Sequence, residues 1–130
     1  MPMMDFSDKD ILRSKLIEPA WYRVRIDNIG EAPSKDGQST NYPVEATVLF
    51  NADTKGKDFE GCPVPYWNFN SKAKGFAVGF FKALGIDVES GKRYSFDACI
   101  GKTLDIFIDN EMFEGRPVNR FNHKYRTPKD

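Results

Sequence analysis

The sequence predicts a mainly β domain: a five-stranded Greek-key barrel with one helix between its third and fourth strands and a short helix ahead of the first. Three observations predict it. Short runs alternate apolar and polar residues, turn-forming segments separate those runs, and a single apolar stripe at helical spacing interrupts them. With 130 residues, 40% of them hydrophobic, the chain has the length and apolar content for one domain around one core.

Ser7, with Asp10 three residues on and Ile11, Leu12, Leu16 and Ile17 following, reads as a short capped helix that Pro19 ends. Residues 21–29 form the first expected strand, Tyr22, Val24 and Ile26 facing inward and Trp21, Arg23, Arg25 and Asp27 outward. After a polar loop at 30–41, Tyr42, Val44, Ala46, Val48 and Phe50 define one face of the second strand. A third strand runs through 64–69, irregular or at an edge because Pro63 and Pro65 supply no backbone donor. Ser71 is placed to cap the main helix, whose stripe Phe76, Phe80, Phe81 and Leu84 belongs in the core and which Gly85 stops. Residues 94–98 are extended. The fourth strand covers 102–109 with Leu104, Ile106 and Ile108 inward, the loop 110–115 follows, and the fifth strand begins at Arg116 and reaches about Phe121. This divides the chain into a helical extension (1–18), a barrel (19–123) and a basic tail (124–130). Three strands, a helix and two strands is the order of the oligonucleotide- and oligosaccharide-binding barrel, or OB-fold.

The short runs 19–26 (PAWYRVRI), 79–87 (GFFKALGID), 100–104 (IGKTL) and 113–121 (FEGRPVNRF) resemble small bacteriophage proteins encoded with replication and recombination genes. The resemblance implies an OB-type single-stranded DNA-binding protein acting in phage replication or recombination, with single-stranded DNA as partner, RNA as an alternative and replication or recombination proteins as further partners. The choice of DNA comes from this resemblance. One departure stands out: many such proteins end in an acidic recruiting tail, whereas this chain ends Arg126-Thr-Pro-Lys-Asp.

The formal net charge is zero, but the residues from Arg116 onward carry +4 and the rest −4. No diffuse positive field surrounds such a chain, so nucleic acid would have to be held in a local basic groove. Nonspecific strand binding needs ring faces for bases beside cations for phosphates. Trp21, Arg23 and Arg25 offer both on the first strand. Tyr66, Trp67 and Phe69 on the third strand add rings, because the aromatics between Phe59 and Phe76 exceed what one short strand can bury. Lys72, Lys74 and Lys82 border a groove, and Arg116, Arg120, Lys124 and Arg126, with Tyr125, extend a phosphate track. Each also has a plainer reading, as a solvated strand face, a solvated helix or a frayed tail. Met112 and Phe113 are apolar in a loop expected to be polar, which suits gripping a ligand, a contact between two copies, or a tip folded over the barrel end.

Catalysis has little support in the sequence. His123 is the only histidine and has no nucleophile near it in sequence, and Asp105 with Asp109 lacks further metal ligands and is expected to solvate the outer face of the fourth strand. Residues 85–93 (GIDVESGKR) have the wrong glycine spacing for a phosphate loop and no Ser or Thr after the lysine. Cys62 and Cys99 stand apart from each other and from His, which suits buried thiols rather than zinc ligands or a disulfide. No cofactor is expected. Neither a membrane-spanning run nor a signal peptide is seen, so a cytoplasmic location is expected, in the host if the protein is phage-encoded. Two rival readings remain: an OB-type adaptor that binds protein instead of nucleic acid, and a small nuclease.

Overall fold

A computed structural model describes residues 1–128. It is mainly β: α1 (Asp8–Ser14), β1 (Ala20–Ile29), β2 (Ala32–Pro33), β3 (Thr40–Asn51), β4 (Asn68–Asn70), α2 (Gly75–Ala83), β5 (Thr103–Phe113) and β6 (Arg116–Arg126), with a 3-10 turn at Phe96–Cys99 where an extended segment was expected. The six strands form one antiparallel sheet in the order β2-β3-β1-β5-β6, with β4 also paired to β3.

The expected barrel is not closed. Among the described residues no ladder joins β6, at one end of the sheet, to β4, which pairs with β3 near the other. The cause lies in residues 62–70. This segment runs along β3, with Val64 N donating to Ala46 O and Val44 N to Trp67 O, but Pro63 and Pro65 break the ladder and leave a strand only three residues long. Side chains bridge the gap instead: the Phe69 ring packs on Tyr125 at 6.5 Å and on His123 at 5.7 Å between centroids.

The core follows the predicted alternation. Tyr22, Val24, Ile26, Val44, Ala46, Val48, Leu104, Ile106 and Ile108 are buried on the inner face, with Phe80 and Phe81 of α2 set against them. Phe76 departs from expectation. It is 52% exposed and stacks on His123 at 4.5 Å, because α2 starts at Gly75, which puts Phe76 in the first turn beyond the core. Ser71 does not cap the helix; its hydroxyl accepts from Thr40 N at 2.9 Å and ties β4 to β3. Ahead of β1, Ser7 and Asp10 form the predicted capping box. Ile17 is fully buried, its N–H donating to Asn119 Oδ1 of β6 at 2.8 Å, and this pins the helical extension to the sheet.

Two irregularities decide which side chains reach the outer face. In the β1–β3 ladder Arg23 pairs with Phe50 and Val24 with Val48, so Leu49 is an extra residue and Phe50, expected on the same face as Val48, turns outward beside Arg23. In the β5–β6 ladder Ile106 pairs with Tyr125 and Ile108 with Phe121, leaving residues 122–124 opposite Phe107 alone. His123 absorbs that excess in the left-handed region, at φ 57°. β6 nevertheless continues to Arg126, so Lys124, Tyr125 and Arg126 belong to the sheet and not to a tail.

Candidate nucleic-acid interface

The ladders align two rows of side chains across the outer face. Phe50 of β3 lies opposite Arg23 of β1, which lies opposite Asp105 of β5, which lies opposite Arg126 of β6. Beside this row, Trp21 pairs with Phe107, the rings edge to face at 5.7 Å. Four cations sit over these rings. The Arg126 guanidinium is 4.5 Å from the Trp21 centroid, Arg23 is 5.3 Å and Lys55 Nζ 5.2 Å from Phe50, and Lys124 Nζ is 5.4 Å from Phe107. Each contact places a positive charge against the electron-rich face of a ring.

These cations are of two kinds. Arg23 is only 8% exposed, and its Nε donates to Asp105 Oδ1 at 2.6 Å, with Asp105 itself 1% exposed. Arg126 closes the cluster through Asp105 at 3.4 Å and Asp53 at 3.1 Å. Asp105 therefore does not solvate the outer face as expected; it is the buried anchor of that face. Lys55 and Lys124 are exposed and pair with no carboxylate among the described residues. Their ammonium groups are available to phosphates, whereas Arg23 is committed to the fold.

The other predicted residues divide as follows. Trp67 and Phe69, expected as stacking platforms, are each 2% exposed and have no open face. Trp67 packs among Phe69, Phe80, Phe121 and Tyr125, because the sheet's open side is sealed by rings instead of backbone pairing. Tyr66 is the exposed ring of that segment, at 81%. Tyr125 points inward, and burial pushes its phenol well above the usual tyrosine range, so it stays protonated. Arg25 is exposed on the outer face but bonds Asp27 at 2.8 Å. Tyr66, Lys72, Lys74, Phe113, Arg116 and Arg120 make no ring contact or ion pair with the cluster. Arg120 pairs with Glu111 at 3.4 Å, and Phe113 and Arg116 flank the turn of the β5–β6 hairpin. Phe50, Phe107 and Lys55 were missed. Phe107 was legible, since it lies between inward Ile106 and Ile108; Phe50 was hidden by the bulge.

His123 Nδ1 lies within hydrogen-bond distance of the Tyr125 hydroxyl, at 2.7 Å, and burial with nearby Arg120 lowers its pKa, which favours the neutral ring. Burial raises both thiols, Cys99 to about 11, which leaves them unreactive as nucleophiles at neutral pH. Among the described residues no group of three or more His, Cys, Asp or Glu side chains is placed to hold a metal ion, and no helix is long and apolar enough to cross a membrane. No protein-family model matches the chain, and no curated protein matches it.

Proposed function

We propose that the protein binds single-stranded nucleic acid without sequence preference, through the outer face of β3, β1, β5 and β6. The observation that carries this reading is the gathering of Trp21, Phe50 and Phe107 on one face with Arg126, Lys55 and Lys124 set over their rings. Bases of any identity stack on the rings as the exposed ammonium groups over them, those of Lys55 and Lys124, swing away to meet phosphates. The strand order β4-β3-β1-β5-β6, with α2 between β4 and β5 in the chain, supports an open OB-type arrangement. On the resemblance of the sequence to phage proteins, the partner is DNA, the role lies in replication or recombination alongside proteins of those processes, and the place of action is the cytoplasm. No catalytic step is assigned.

Titration with oligothymidylate at low salt, read by intrinsic fluorescence, tests the proposal. Trp67 is sealed in the core, so quenching reports on Trp21. Trp21→Ala is expected to weaken binding by about 1 to 3 kcal/mol without unfolding the protein. Absence of binding at low salt would favour a protein-interaction adaptor, for which Met112 and Phe113, exposed at the hairpin tip, are the contact to examine by Phe113→Ser.

A further inference from the structure

Gly79 lies in the interior of α2, where glycine is unfavourable relative to alanine. Its backbone does not require glycine, since its φ is not positive. Crowding does not require it either: a β-carbon there would meet nothing nearer than Tyr125 Cδ2, at 3.7 Å, an ordinary van der Waals distance. What the missing side chain does leave is space. A groove of about 580 Å³ runs between α2 and β6, lined by Gly79, Lys82 and Ala83 of the helix and by Trp21, His123, Lys124 and Tyr125 of the strands. Trp21 and Lys124 belong to both the groove and the outer-face rows.

We propose that this groove is a nucleotide subsite, taking one heteroaromatic ring against its aromatic lining and the attached phosphates on Lys82 and Lys124. The volume lies within the roughly 300 to 1,000 Å³ of small-ligand sites, ample for one nucleotide. Three aromatic residues and two cations in one lining match a planar base joined to anionic groups better than a purely apolar ligand. The inference rests on the strand-binding reading of the adjoining face, and it adds a place where a strand leaving the sheet inserts a base. The same chemistry is offered by a free mononucleotide.

Gly79→Leu fills the groove with a good helix former, so the melting temperature should hold or rise. The variant and the unaltered protein are titrated with oligothymidylate and with thymidine monophosphate. The expected result is oligonucleotide binding weakened roughly tenfold in Gly79→Leu, the loss of about one stacked base. Lys82→Gln, an exposed change, guards against a folding defect and should make the salt dependence shallower by about 0.7 in slope. If oligothymidylate binds both variants as it binds the unaltered protein, with the same slope, the subsite is overturned and the sheet-face reading stands. If thymidine monophosphate alone binds and Gly79→Leu abolishes it, the subsite stands as a free-nucleotide site and the strand-binding reading falls. If neither ligand binds the unaltered protein, both fall.

Discussion

His123 carries an unusual set of constraints for one side chain: left-handed backbone at φ 57°, a ring stacked on Phe76, and Nδ1 bonded to a phenol that keeps its proton. Burial and Arg120 lower its pKa below the ordinary 6.5, so the unfolded chain binds this proton more readily than the folded one. The stability contributed by the neutral ring is present above pH 6.5 and is lost as the pH falls through that value toward the lower folded pKa. His123→Asn keeps a residue that tolerates left-handed backbone and removes the titration. The melting temperature of the unaltered protein should therefore drop between pH 7 and 5 by more than that of the variant; parallel curves would show that His123 is not the titrating group. Arg23 shows the limit of what its neighbours in sequence reveal. Alternation places it on the outer face, where it is, but whether that face is wet depends on Asp105, 82 residues away, and on Phe50 turned outward by a bulge. Trp21 lies on the outer face as predicted, but it is half-buried, with the Arg126 guanidinium over its ring at 4.5 Å.

The β5–β6 hairpin shows how a correct pair of strands can be predicted with the wrong ends. A six-residue loop was expected at 110–115, yet pairing continues to Phe113 and Arg116, leaving the turn to Glu114 and Gly115, at φ 50° and 80°. Two successive residues with positive φ match the twist of a hairpin, and Gly115 takes the second at no steric cost. Met112 and Phe113 obscured this turn, because apolar residues beside it read as an unusual loop and not as strand. At its far end β6 was read too short for a related reason: His123 interrupts the alternation, and the basic residues beyond it resemble a tail. Tyr125 decides the matter physically, since its ring packs on Trp67, Phe69, Phe80 and Phe121. Ending the chain at Arg126 should leave the melting temperature unchanged. Ending it at His123 removes Tyr125 and should cost at least the roughly 3 to 5 kcal/mol of losing a large buried ring, measured by urea denaturation. Equal stability of the two truncated chains would mean that the terminal part of β6 is dispensable.

For the whole molecule, the order of five of the six strands and of the main helix was legible from their own periods, whereas β2, two residues inside the loop expected at 30–41, was too short to show one, and closure depends on how far β4 can pair with a strand about fifty residues later in the chain. Charge behaves similarly. The excess of +4 after Arg116 suggested a basic tail as the phosphate track, but the fold places Lys124 and Arg126 against β1 and β5 and brings Lys55 from the other end of the sheet. The cations facing the rows come from distant segments, and a chain of zero net charge can still present a locally positive surface. Binding through that surface should release counterions from the few phosphates it touches and no more. Three to four contacts give a slope of log affinity against log salt of roughly −2 to −3, or about 15- to 60-fold between 50 and 200 mM. Replacing Lys55 and Lys124 together with Gln removes the two cations over the rings that pair with no carboxylate among the described residues, and the slope should shrink by about 1.4 for every oligonucleotide sequence alike. A matching substitution of Lys72 and Lys74, which make no contact with the rows, should leave the slope where it was. If instead the second pair flattens the salt dependence and the first does not, the strand crosses the other end of the domain, by α2 and β4, and the outer-face assignment is wrong even though the protein binds nucleic acid.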